Sequence, residues 1–172
     1  DPLLGVSKHC WYAPTTGFSG TVGDFIPHHF DVTTTAACGT FSYAWQPFVV
    51  TVTARNASGA TTVNYDGSVN TTPNFAKAVT LSDGTANATG TLRDPSVAAS
   101  AFVRGVASTA NAPHFAFTDK LTVPQSITLR ATDADGVTST GFAEGSMALR
   151  SGRLRLSNAF GSAKASLQVP VV

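Results

Sequence analysis

Asp133 and Asp135 stand two residues apart in RATDADGVTST (130–140), with Gly136 behind them, and this is the opening rhythm of many calcium-binding loops. Calcium takes roughly six to eight oxygen ligands, several of them ionised, so two aspartates make only part of a site. An EF-hand would continue with further acidic positions and a closing Glu. Here Val137, Ser139 and Gly141 follow, none of them acidic, and Glu144 is the single Glu of the chain. A site between β domains would have to recruit distant carboxylates, for which Asp83, Asp94 and Asp119 are candidates. The competing reading is a hairpin turn, because Gly accepts positive φ and Asp tolerates it. An internal echo favours the turn. VTARNASGATTV (52–63) aligns without gaps on LRATDADGVTST (129–140), placing Asn56 on Asp133, Ser58 on Asp135 and Gly59 on Gly136. The same local shape is thus written without carboxylates. A turn is expected, with calcium held by Asp133 and Asp135 as the alternative and no other cofactor implied.

Other chemistry is sparse. Six of the nine Asp residues sit beside Gly or Pro, where turns use them. No G-x-S-x-G elbow, G-x-G-x-x-G loop or P-loop occurs, and no catalytic constellation assembles, so the chain is not expected to be an enzyme. His28 and His29 are adjacent and would point to opposite faces of a strand. Arg150, Arg153 and Arg155 form the one basic cluster. On a strand Arg153 and Arg155 share a face, which suits an acidic glycan or a partner chain; the plainer reading is a solvated face that guards an edge. Trp11, Tyr12, Tyr43 and Trp45 could line a sugar-stacking platform, or could belong to the core. The two cysteines, Cys10 and Cys38, form no CxxC pair. A disulfide closing the N-terminal loop is the expected use, which implies an oxidising compartment, with two separate buried thiols as the alternative.

These residues must be positioned by strands. The chain has 172 residues, of which 42% are hydrophobic and only 12% charged, enough to bury a core. Thr, Val and Phe are plentiful while Glu and Lys are scarce, a balance that favours sheet over helix. A net charge of +1 leaves no electrostatic footprint for nucleic acid, and no apolar run approaches a membrane span. The chain opens at DPLLGVSKHCWY without an initiator Met and with no signal-peptide pattern, so it reads as processed or excised from something longer.

In PFVVTVTARN, Phe48, Val50, Val52 and Ala54 alternate with Val49, Thr51, Thr53 and Arg55, the period of a strand with one buried face. Turn clusters at NASG, NYDG, LSDG, NATG and DADG punctuate further short apolar runs, a spacing that suggests an antiparallel sandwich. The stretch DPSVAASAFVRG (94–105) reads equally as a short helix or a strand. Leu154 with Leu156, and Leu167 with Val169 and Val171, mark later strands. The predicted architecture is all-β, an immunoglobulin-like antiparallel β-sandwich over residues 25–140. An irregular lead-in over 1–24 precedes it. Residues 141–172 supply extra C-terminal strands that pack on the sandwich or begin a further domain.

Three stretches, GDFIPHHFDV (23–32), CGTFSYAWQPFVVTVTARNASGATTVNYDG (38–67) and RSGRLRLSNAFGS (150–162), resemble the MshQ-like family, and LRATDADGVTSTG fits the block between them. That family is associated with biogenesis of the mannose-sensitive haemagglutinin pilus, a type IV pilus of Gram-negative bacteria. The hairpin VTVTARNASGATTVNY also resembles bacterial immunoglobulin-like adhesin domains. The resemblance implies an exported module at the cell surface and transfers no catalytic residues. The expected function is non-enzymatic, structural or adhesive, through strand edges and loops that contact other copies of the chain or pilus and surface subunits. A carbohydrate-binding module, calcium-assisted or not, is the alternative. No nucleic acid partner and no membrane insertion are expected.

Overall fold

The computed structural model describes residues 26–68, 75–85, 89–109, 113–152, 160–161 and 166. Ten strands carry the described fold: β1 (His29–Thr35), β2 (Phe41–Tyr43), β3 (Val49–Arg55), β4 (Val79–Asp83), β5 (Gly90–Arg93), β6 (Ser96–Val97), β7 (Val106–Thr109), β8 (His114–Phe117), β9 (Gln125–Asp133) and β10 (Gly145–Arg150). A three-stranded sheet in the order β1-β3-β7 faces a five-stranded sheet in the order β2-β10-β9-β4-β6, and β5 pairs with β8 beside them. The architecture is an all-β sandwich, and among the described residues no helix is long and apolar enough to cross a membrane.

Strand alternation follows the apolar pattern. In β3 the side chains of Val50, Val52 and Ala54 are buried, and in β9 those of Ile127, Leu129 and Ala131 are. They meet Phe30, Val32, Val79, Leu81, Met147 and Leu149 in one hydrophobic cluster between the sheets. Burying each such side chain contributes on the order of 1.5–3 kcal/mol, so this cluster is the main source of stability.

Two features depart from the sequence reading. The sandwich is not purely antiparallel, since β10 pairs with β2 in parallel, Ala148 opposite Phe41. This strand, beyond residue 140, lies between β2 and β9 in the five-stranded sheet. Its alternation, Met147 and Leu149 buried, went unread in a stretch rich in small residues. Residues 94–105 form neither one helix nor one strand. Pro95 is followed by the two-residue β6, and a single 3-10 turn at Ala99–Ala101 comes after it. The lead-in over 1–24 and the later runs at Leu154, Leu156, Leu167, Val169 and Val171 lie outside the described residues.

The two echoing turns share one hydrogen-bond scheme. At the end of β3, Asn56 Oδ1 accepts the N–H groups of Ser58 (3.0 Å) and Ala60 (2.9 Å), and Gly59 N–H donates to Asn56 O. At the end of β9, Asp133 Oδ1 accepts those of Asp135 and Val137, both at 3.0 Å, and Gly136 N–H donates to Asp133 O. Gly59 and Gly136 hold φ of +81° and +80°, where a side chain would be strained. Each strand then returns through a single bridge, Arg55 to Thr61 and Thr132 to Thr138.

The difference between the turns lies in the second oxygen. Asp133 continues the inward register of Ala131 and is only 8% exposed. Its Oδ2 accepts the hydroxyl of Tyr65 at 3.1 Å, while the Tyr65 oxygen accepts Lys77 N–H at 3.1 Å. The Tyr65 ring is buried edge-on against Phe102 and Phe30. Burial raises the pKa of this phenol well above its ordinary value; the charges of Asp133 and Asp135 add to the shift, and the Lys77 N–H opposes it. One carboxyl therefore closes a turn and satisfies a buried hydroxyl at once. Asp133→Asn, which places an amide nitrogen where one of these acceptors is needed, is expected to lower stability by about 1–3 kcal/mol in urea unfolding. Asn56→Asp, on the exposed echo, should change it by less than about 0.5 kcal/mol. Equal effects at the two positions would contradict this division of roles.

Candidate functional site

The residues singled out for chemistry fall in separate places. Both carboxyl oxygens of Asp133 are engaged by the turn and by Tyr65, and Asp135 is exposed at the turn tip. The distant carboxylates go elsewhere: Asp83 Oδ1 accepts Thr85 N–H, Asp94 lies beside His114, and Asp119 is exposed. Among the described residues no three His, Cys, Asp or Glu side chains converge as a metal would need. Glu144 takes the fork of Arg130, at 2.7 and 3.3 Å, and the Ser139 hydroxyl. Cys38 is a half-buried free thiol that donates to Gln46 Oε1 at 3.4 Å, while its expected partner Cys10 lies outside the described residues. Arg150 is exposed at the end of β10, its guanidinium 4.4 Å from the centre of the Phe41 ring. Arg153 and Arg155 lie outside the described residues, as do Trp11 and Tyr12.

His28 and His29 do not point apart. His28 precedes β1 and escapes strand alternation, so the two Nδ1 atoms come within 3.0 Å, one donating to the other. His29 is buried, stacked on Phe142 at 3.7 Å between ring centres, with its Nε2 3.6 Å from Asp31, which also receives Arg55. Burial lowers its pKa below the ordinary 6.5; Asp31 opposes the shift, and His28 and Arg55 add to it.

The described side chains that do converge gather around Trp45, ahead of β3, and the β5–β8 pair. Trp45, Leu92, Arg93, Asp94, Pro95 and His114 line an open pocket of about 490 Å³, inside the roughly 300–1,000 Å³ usual for small-ligand sites. Pairing of β5 with β8 places Arg93 opposite His114. The Asp94 carboxyl stands 3.4 Å from His114 Nδ1, and the Trp45 indole is tilted over the His114 ring at 5.5 Å.

Backbone strain gathers at the same place. Three non-glycine residues among those described hold positive φ: Trp45 (66°), Asp94 (50°) and Arg104 (49°). Arg104 is explained by its tight hairpin turn with Gly105 between Val103 and Val106. The other two both line the pocket. Trp45 sits in a turn closed by Gln46 N–H to Tyr43 O, a position that favours glycine, and its own N–H is tied to Phe115 O. Asp94 holds positive φ ahead of Pro95, where an extended conformation is usual. Such residues cost of order 1–3 kcal/mol each and persist only where the surroundings hold them. The strain lifts a bulky indole, 62% exposed, onto the surface. Trp45 was readable as a possible sugar platform, but Tyr43 does not join it, packing edge-on against Phe41 instead. Arg93, Asp94 and His114 were missed as a group because only the β5–β8 pairing brings them together.

The His29 geometry sets a pH dependence. Because its folded-state pKa is depressed, the unfolded chain takes up the proton first as pH falls. Stability is expected to be full above about pH 6.5 and to decline as pH falls below it, with a shallower decline in His29→Phe, which keeps the stack on Phe142. Thermal melts at several pH values check this, and an unchanged slope in the variant contradicts it.

Comparison with known proteins adds a family. The chain matches the family described as DUF6701, third domain, over residues 4–150, ending at the last residue of β10. No curated protein and no solved structure matches it. The match takes in most of the 172 residues, and the chain therefore belongs to the DUF6701 third-domain family.

Proposed function

We propose that this domain is a non-enzymatic structural and adhesive module at the surface of a Gram-negative bacterium, associated with a pilus or other surface filament. The observation that carries the reading is the strained, exposed Trp45 held on a rigid sandwich end. Strain kept at a surface position is explained by a contact made there. The sandwich supplies the stiff scaffold, and loops between strands supply the contact. The resemblance to pilus-associated proteins supports the location.

Loops suit this role better than strand edges. The outer strands of the five-stranded sheet are β2, three residues long, and β6, two residues long. The longer edge, the seven-residue β1 of the three-stranded sheet, has its Phe30 and Val32 N–H groups taken by Thr138 O and Ala143 O. Short or covered edges offer few unpaired backbone groups and resist the addition of a neighbour's strand. Contacts with pilus or surface subunits therefore run through the Trp45 end in this reading, and polymerisation by strand exchange is not required.

Beads coated with the chain, washed over intact cells bearing surface filaments and over host cells, test the proposal. Retention on one of these surfaces is expected, reduced roughly tenfold or more by Trp45→Ala, as for a central aromatic contact. Light scattering should show no polymer. Absence of retention on every surface, or retention that Trp45→Ala leaves intact, overturns the reading.

A further inference from the structure

We propose that the pocket formed by Trp45, Arg93, Asp94 and His114 binds a neutral pyranose residue of a glycan. The proposal rests on the adhesive reading above and names the chemistry of its ligand. Four observations converge on it.

The first is the platform. An indole held 62% exposed, with a concave polar surface beside it, offers a flat π face. A pyranose ring presents a patch of C–H bonds on one side, slightly positive against the negative face of the indole, and stacks there without an enclosed cavity. The pocket is open, and only Leu92 and Pro95 add apolar surface beside Trp45 and His114. An apolar peptide side chain would need more enclosure than this to leave water.

The second is the polar rim. Asp94 is exposed, and its carboxyl offers several acceptor sites, suited to two neighbouring hydroxyl donors of one sugar. Arg93, also exposed, donates to hydroxyl or ring oxygens from the next position along the chain. His114 braces Asp94 across the β5–β8 pair, so the carboxyl is oriented before any ligand arrives.

Charge is the third. Arg93 and Asp94 are sequence neighbours of opposite sign and both line the pocket, so their formal charges cancel and leave no excess to select a uronate, a sialic acid or a phosphate. A neutral hexose fits; an acidic one would set its carboxylate against that of Asp94.

The fourth is preorganisation. Trp45 and Asp94, which would make the stacking and hydroxyl contacts, are the two pocket residues that hold positive φ. Fixing both before binding reduces the ordering cost that weak glycan contacts would otherwise have to overcome. Asp133 and Asp135 do not line this pocket, so recognition there does not draw on them.

The test is a glycan array probed with the intact chain, run with and without a chelator and followed by calorimetry on the bound sugars. Trp45→Gly is the informative variant. Its backbone position favours glycine, so the fold should keep or gain thermal stability while the platform is lost. Binding to glycans ending in a neutral hexose is expected, unchanged by chelator and weakened at least tenfold in both Trp45→Gly and Asp94→Ala. Failure to bind any glycan, binding confined to acidic sugars, binding that needs calcium, or binding that survives Trp45→Gly would each overturn the assignment. Bead retention that depends on Trp45, with no glycan bound, would leave the adhesive module standing with a protein ligand. Glycan binding without bead retention would keep the pocket and remove the adhesive role.

Discussion

The hydroxyl of Tyr65 lies where water does not reach, on a side chain only 1% exposed, and a phenol left unpaired there costs about as much as several buried methylenes contribute. Asp133 and the Lys77 N–H supply its partners. Tyr65 belongs to the segment that leaves the three-stranded sheet after β3. Asp133 ends β9 and Lys77 leads into β4, both in the five-stranded sheet. The contact is thus a buried polar tie from the segment after β3 to the five-stranded sheet, set among apolar side chains; at the surface the Thr34 hydroxyl of β1 also donates to Ser146 O of β10. The buried tie also fixes the return of the chain after β9, since the same carboxyl closes the turn that leads to Val137, Ser139 and, through Phe30 N–H to Thr138 O, back to β1. A buried hydrogen bond of this kind fixes register, because its geometry is directional where apolar contacts are not.

The turns and the pocket then divide their duties. The turns after β3 and β9 follow local preference: glycine where φ is positive, and Asn or Asp where the loop N–H groups need an acceptor. At the pocket local preference is broken twice, at Trp45 and Asp94. Violations concentrated in one place mark what the fold maintains at a cost to its own stability.

Much of the fold was legible in the sequence, and the limits are physical. Alternation through Phe48, Val50, Val52 and Ala54 placed β3 on its correct face, and the echo between NASG and DADG identified one turn written twice. Period-two reading stopped at the turn, so Asp133 was assigned to the loop although the same period carries it inward from Ala131. A carboxyl in that register with a Tyr elsewhere in the chain is a signal that could have been followed. His28 and His29 failed the alternation rule because only one of them is in the strand. The parallel pairing of β10 with β2, and the meeting of Arg93 and Asp94 with His114, depend on contacts between distant segments, which no local pattern encodes.

A double-mutant cycle between Tyr65→Phe and Asp133→Ala, read by equilibrium unfolding in urea, tests the tie most directly. Phenylalanine keeps the ring against Phe30 and Phe102 and removes only the hydroxyl, so the cycle isolates the contact from the turn that Asp133 also serves. A coupling of roughly 1–3 kcal/mol is expected for two buried groups that satisfy each other. Additive effects, within about 0.3 kcal/mol, would show that the Tyr65–Asp133 contact is incidental.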